Sequence, residues 1–378
     1  ARNRETTFII PKANIDQART ITGLRVIGVA TLKEAFDHVT NVRPLAIELT
    51  SGYGSINSPT ESKVVISLSD ITGQEVAKRT LEIAAAGGHN ILLSGPPGTG
   101  KSMLARAFQS LLPAPSPDEI LEITHLHSLV STNYESVITT RPFRSPHHSA
   151  SHTAITGGGT HLRPGEISLS HHGVLFLDEL PEFSRSTIEA LRQPLEDGTI
   201  TIARARDNVT YPADFILIAT ANPCPCGFLG SEQPCTCTAS QVQNYERKLS
   251  GPILDRIDLH ITVDALDHRN LLGDSVLTET SDETRSRVEQ ARTRQQKRYC
   301  RLLDKNLNSQ LSNKELRALC PMTSAAKALL DTAASRLHLS ARAYMRAVKV
   351  AQTIADLDNA PIIDTPHVQE AIQYRRKR

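Results

Sequence analysis

The sequence predicts an α/β fold, a parallel sheet followed by a helical second domain. Three observations carry that reading. The buried strand read at Asn90 to Ser94 and the apolar runs at Val174 to Leu177 and Phe215 to Ala219 have the length of strands buried on both faces. The first of these leads straight into glycines and a new helix from Lys101. Beyond about Asp264 strand signals vanish, and helices take over with a capping box at Ser312-x-x-Glu315 and Pro366 as a first helical residue after Thr365.

The elements before that sheet are smaller. Residues 1–50 read as an α/β piece: apolar Phe8 to Ile10, a short helix, apolar Val26 to Val29, then a helix opened by the capping box Thr31-x-x-Glu34. The chain starts Ala1-Arg2-Asn3 without Met directly before strand-like sequence, so this piece reads as the tail of a larger domain. Residues 51–63 are rich in Ser, Gly and Thr, the composition of a linker. Thr72-x-x-Glu75 then reads as the cap of a helix ending at Gly87-Gly88. The α/β core is placed at 64–264 and the helical domain at 265–378.

Composition narrows the function class. With 378 residues, 39% of them apolar, the chain can bury more than one core. Lys+Arg 42 against Asp+Glu 40 argues against a general basic coat and moves the question to local stripes. No apolar run reaches the roughly 20 residues that cross a bilayer, and no signal-peptide pattern opens the chain, so a soluble cytoplasmic protein without a membrane partner is expected.

Chemistry concentrates at three strand ends. Gly95-Pro96-Pro97-Gly98-Thr99-Gly100-Lys101-Ser102 fits G-x-x-x-x-G-K-[ST], a loop whose backbone N–H groups wrap phosphates at a helix N-terminus. Lys101 would reach the β and γ phosphates of ATP, and Ser102 would bind Mg²⁺. The run Val174 to Leu177 delivers Asp178 and Glu179 at a strand's C-terminal edge, Asp178 to hold Mg²⁺ through water and Glu179 to act as general base on the attacking water. Asn222, after the third strand, is placed to orient that water. Transition-state charge needs a cation, for which Arg256 and Arg342 are candidates; on spacing alone a surface ion pair is the alternative for each.

Arg141-Pro-Phe-Arg-Ser-Pro-His-His148, Pro164-Gly-Glu-Ile-Ser-Leu-Ser-His-His-Gly173 and Leu249-Ser-Gly-Pro-Ile-Leu-Asp-Arg-Ile-Asp-Leu259 carry a further signal. With the phosphate loop they resemble the magnesium-chelatase-like AAA+ ATPases from about Ser69 to the C-terminus. The resemblance implies an AAA+ P-loop core with a helical lid, preceded by the end of a Lon-protease-like domain. It places Lys101 and Ser102 in Walker A, Asp178 and Glu179 in Walker B, Asn222 as sensor 1, Arg256 as the finger reaching a neighbour's ATP, and Arg342 as sensor 2. It implies a homo-hexameric ring. One branch of the family comprises DNA motors that drive branch migration during natural transformation; another loads a metal into a porphyrin. Because the core is shared, the motor type rests on the insertions.

Cys224-x-Cys226 and Cys235-x-Cys237 supply four thiolates suited to tetrahedral Zn²⁺, with idle thiols as the alternative. His147, His148, His152, His161, His171 and His172 tempt as a second cluster, but Gly157 to Gly159 and Pro164 break any continuous helix, so a loop facing substrate or subunit is preferred. Thr199 to Tyr211 alternates around Arg204 and Arg206 as a hairpin with a polar tip, placing these arginines on DNA phosphates; a solvated turn or subunit contact is the alternative. Arg287, Arg294, Arg298 and Arg301 share a helical face, which reads equally as a phosphate contact or a solvated lid helix. An ATP-driven translocase on branched or duplex DNA, reading no sequence, is the first expectation. A chelatase-type or remodelling ATPase acting on a protein partner is the second.

Overall fold

The computed structural model describes residues 6–19, 21–50, 66–130, 137–203, 208–249, 251–264, 279–302 and 305–375. They fall into two compact units, residues 1–63 with 114–142, and residues 64–113 with 143–378. The strands are β1 Thr7–Pro11, β2 Arg25–Val29, β3 Glu48–Leu49, β4 Ile91–Ser94, β5 Phe143–Arg144, β6 Gly157–Gly158, β7 Arg163–Pro164, β8 Val174–Leu177, β9 Thr199–Ala203, β10 Asn208–Pro212, β11 Ile216–Ala221 and β12 Leu259–Thr262.

In the smaller unit β1 and β2 pair in parallel and β3 joins β2 antiparallel. Within that sheet Val26 and Ile27 of β2 are buried. Thr31 caps the helix Leu32–Val39 by accepting from the Glu34 N–H, while Glu34 reaches back to the N–H of Ala30, one residue before the box expected. Leu32, Phe36 and Val39, spaced along one face of that helix, stand exposed.

The larger unit is built on a five-stranded sheet in the order β12-β4-β11-β8-β5, every pair parallel. Side-chain alternation divides its residues cleanly between two cores. Ile91, Leu93, Val174, Phe176, Ile216, Ile218, Leu259 and Ile261 face one; Leu92, Leu175, Leu177, Leu217, Ala219 and Ala221 face the other. Burial on both faces explains why these strands read as continuous apolar runs. The first core also takes Phe108 from the helix Lys101–Leu111, Val288 and Ala291 from Ser281–Tyr299, and Val348 and Ala351 from Ala341–Leu357. A fully buried Phe or Val side chain among these is worth about 1.5–3 kcal/mol of apolar transfer. The expected α/β class, with a parallel sheet and trailing helices, is the one observed.

Two caps differ from expectation. The helix Glu75–Gly87 starts after Gln74 in the left-handed conformation with no side-chain cap, so Thr72 does not open it. Asp364 caps the helix Thr365–Gln373, which makes Pro366 its second residue rather than its first.

A buried polar chain fastens the helices to the sheet. His89, just before β4, meets the Thr353 hydroxyl at 2.7 Å, and the Asn308 amide donates to both Thr353 and Asp356 at 2.9 Å. Arg298 closes the chain on Asp356. Burial opposes the charge of Asp258, yet Arg346, His89 and Arg375 hold its carboxyl well below the usual carboxylate range. The basic face of the helix Ser281–Tyr299 is spent in the same way. Arg287 pairs with Glu82 and Glu279, Arg292 donates to the Ala85 carbonyl, and Arg294 to the Asp356 carbonyl.

Candidate functional site

The phosphate loop joins β4 to the helix Lys101–Leu111. Gly100 caps that helix at φ +85, a left-handed conformation that an L side chain adopts only with strain. The neighbouring strand holds the loop's start, since Gly95 N–H donates to the Ala221 carbonyl at 3.2 Å. Lys101 lies buried under the loop and donates to the carbonyls of Gly95 at 2.7 Å and Pro96 at 2.6 Å. Burial pushes its ammonium down, opposed by the charges of Asp178 and Glu179.

Asp178 and Glu179 follow β8, which lies two places from β4 across β11. The Asp178 carboxylate accepts from Ser102 Oγ at 3.0 Å and from Thr220 Oγ1 at 2.6 Å. Thr220 Oγ1 in turn accepts from the Glu179 N–H at 2.8 Å. Thr220 is not marked by any motif, yet it links the two acidic residues to β11. Its only sequence signal is a hydroxyl inside an otherwise apolar strand two residues before Asn222. Glu179 itself sits at φ +53, uncommon for a residue with a side chain, and is exposed. Asn222 follows directly on β11 and is half-buried. Lys101, Ser102, Asp178, Glu179 and Asn222 thus cluster at the C-terminal ends of adjacent parallel strands, where open α/β sheets bind ligands.

Arg256 and Arg342 lie elsewhere. Arg256 precedes β12, which runs parallel to β4 with Leu259 opposite Ile91 and Thr262 opposite Ser94. It therefore stands at the edge opposite the phosphate loop, a strand of about 13 Å away at 3.3 Å per residue. Arg342, in the first turn of Ala341–Leu357, joins it there, because both guanidinium groups pair with Glu196. Glu196 is another residue that sequence reasoning misses; nothing in the short stretch Pro194–Asp197 marks it. A cleft of about 1430 Å³ opens beside it, lined among others by Asp258, Arg342, Arg346 and Lys349.

The cysteines converge. Cys224 Sγ lies 3.3 Å from Cys226 Sγ and 3.7 Å from Cys235 Sγ, Cys226 and Cys235 are 3.5 Å apart, and the Cys226 N–H points at Cys237 Sγ at 3.4 Å. Tetrahedral zinc with Zn–S bonds of about 2.3 Å sets its sulfurs about 3.8 Å apart, so the donor set fits that ion. The N–H groups of Phe228 and Thr236 lower the Cys226 thiol to about 5. The cysteine loop also abuts the phosphate loop: a Cβ on Gly227 would come within 2.7 Å of Pro97 Cδ.

The remaining candidates divide. β9 and β10 form the expected antiparallel hairpin with Ile202 opposite Val209 and Ile200 opposite Tyr211. Arg204 and Arg206 lie outside the described residues. Tyr211 OH donates to the Leu162 carbonyl at 2.6 Å, packing the hairpin against the glycine-broken segment. His147 and His148 stack in a loop, while the helix at His152–Thr156 only begins at His152. Near the C-terminus, Arg375, not among those candidates, is buried and donates to the Asp258 carbonyl. No helix of the described residues is long and apolar enough to cross a membrane.

Comparison with known proteins gives the same architecture a lineage. Residues 67–271 match the family described as magnesium chelatase, subunit ChlI, and residues 278–375 its C-terminal part. The chain is 50% identical over 313 residues to the uncharacterized protein YifB of Escherichia coli, covering 82% of this chain and 60% of that protein, so it spans less than two thirds of that relative's length. It is 41% identical to the competence protein ComM of Haemophilus influenzae over an alignment of 382 residues, 99% of this chain and 72% of the relative. A magnesium-chelatase 67 kDa subunit of Chlorobaculum parvum is 27% identical over 165 residues, 42% of this chain and 24% of that protein. With a family model across its parallel sheet, another across its helices and a phosphate loop at the sheet's edge, the chain belongs to the magnesium-chelatase ChlI family of AAA+ P-loop proteins, in the branch of YifB and ComM.

Proposed function

We propose that the chain hydrolyses ATP at a site shared between adjacent copies of a homo-hexameric ring and uses the cycle to move DNA. The opposition of Arg256 and Lys101 across the sheet carries the shared site. A guanidinium beyond the far end of its own strands cannot meet its own phosphate loop, whereas it can meet that of a neighbour. Lys101 and the loop N–H groups hold the triphosphate, and Ser102 and Asp178 hold magnesium, which would neutralise developing charge on the phosphates. Glu179 takes the proton of the attacking water, which Asn222 orients. Arg256 and Arg342 reach across the subunit boundary to the transferring phosphoryl group.

The four cysteines would hold zinc, and a reducing compartment would keep them free of disulfides. Through Gly227 against Pro97 the metal loop braces the nucleotide loop. DNA as the cargo is supported by the similarity to a protein named for competence and by the hairpin β9–β10, whose second strand leads into the strand before Asn222. Arg204 and Arg206, which lie between those two strands in sequence, would grip phosphates and read no sequence. The similarity to a magnesium-chelatase subunit of Chlorobaculum keeps a second reading, a chelatase-type or remodelling ATPase acting on a protein partner.

Hydrolysis measured with branched DNA, linear duplex or protein separates the two. Stimulation by DNA, strongest on branched forms and coupled to strand movement, is expected. A rate that responds only to protein would transfer the proposal to the second reading.

A further inference from the structure

Glu196 lies in the short helix Pro194–Asp197, at the root of the β9–β10 hairpin. Its oxygens are claimed separately, Oε2 by Arg256 Nη2 and Oε1 by Arg342 Nη2. One carboxylate therefore gathers guanidinium groups from two distant parts of the chain. Arg256 otherwise donates to the Pro252 carbonyl at 2.7 Å, and its buried Nε has no partner among the described residues. Two guanidinium groups around one oxyanion, with a spare N–H beside them, would suit a terminal phosphate as well as a carboxylate.

We propose that Glu196 is a positioning residue that works as a latch, occupying in a free subunit the seat that the neighbour's γ-phosphate takes in an engaged one. This rests on the shared-site reading above. The latch holds the two arginines together and keeps them from acting until phosphate displaces the carboxylate. Exposure decides that it can be displaced. The Glu196 side chain is 46% exposed and Arg342 45%, so water screens that pair; Arg256 at 10% is the more enclosed partner, and Asp258 at 2% exposure keeps Arg346 fixed. Displacement would also be felt at the hairpin, because Gly198 follows Glu196's helix and its carbonyl accepts from Ala213 N–H at 2.7 Å to close the hairpin root.

The test compares Glu196→Gln and Glu196→Ala with the unaltered chain in three measurements: binding of a fluorescent ATP analogue, ATP-dependent assembly by mass photometry, and basal hydrolysis without DNA. Nucleotide affinity of the free subunit should not change. Assembly should shift to lower protein concentration, and basal kcat/KM of the assembled ring should rise about threefold to tenfold, because a screened ion pair no longer competes with the neighbour's γ-phosphate. A basal rate and assembly midpoint equal to those of the unaltered chain, or reduced in both variants, would overturn the latch. Arg256→Ala run in parallel separates the two layers. If it hydrolyses ATP normally, the shared site itself is wrong; if it is silent while Glu196→Gln is unchanged, only the latch falls.

Discussion

Glu179 combines an unusual backbone with an exposed carboxylate at the end of a buried strand. Its φ of +53 breaks the strand immediately after Asp178, so that adjacent carboxylates take different surroundings. Asp178 is held by two hydroxyls, and the Glu179 N–H is pinned to one of them. A side chain with its backbone fixed and its carboxylate uncommitted is suited to accept a proton. Replacing Glu179 by Gln should leave nucleotide binding intact and lower turnover about 10²- to 10⁴-fold. Equilibrium binding of a labelled nucleotide beside steady-state hydrolysis checks this, and near-normal hydrolysis would remove Glu179 from the role.

At the scale of elements, the cysteine loop beside the phosphate loop and the β9–β10 hairpin, rooted beside Glu196 at the opposite end of the sheet, each carry a prediction. The cysteine loop should bind about one zinc per chain, lost when Cys224 or Cys235 is replaced, with a fall in melting temperature because metal binding and loop folding are coupled. Elemental analysis of protein purified without chelator, followed by thermal melts, decides the matter. Metal-free protein of undiminished stability would refute the site. The hairpin β9–β10 should touch the DNA backbone through Arg204 and Arg206. Changing both to Ala should weaken binding equally on unrelated sequences and reduce the log–log salt slope by about 0.9 for each duplex phosphate that an arginine no longer neutralises. Unequal weakening between sequences would indicate base reading instead. The helix Ser281–Tyr299 makes a weaker DNA candidate, since Arg287, Arg294 and Arg298 already bond within the protein.

For the whole molecule, a parallel sheet with phosphate chemistry at one edge and paired arginines at the other is polar in function. On the proposed shared-site reading, each copy would offer half a site at either end. Arg256→Ala should silence hydrolysis without impairing nucleotide binding, and mixing it with Lys101→Ala should restore part of the activity, because some interfaces then combine an intact loop with an intact arginine. A finger supplied by a neighbour is worth about 10³ to 10⁵ in rate, so even a few such interfaces are measurable. Mixtures no more active than the sum of the two variants would show that the arginine does not act between subunits.

Much of this architecture is written in short stretches of sequence. The strands β4, β8 and β11 are legible because burial on both faces demands unbroken apolar runs. The phosphate loop is legible because wrapping phosphates requires glycines at set spacing, and the cysteine quartet because few residue types bind a soft cation. Caps are less legible: Gln74 opens a helix without any side-chain bond, which no local pattern announces. The joining of Arg256 and Arg342 on Glu196 spans 60 and 146 residues, and Thr220 meets Asp178 across 42. Those pairings follow from the order in which strands enter the sheet. Local preference sets what a segment becomes, whereas the topology of the packed chain decides which distant side chains share an anion.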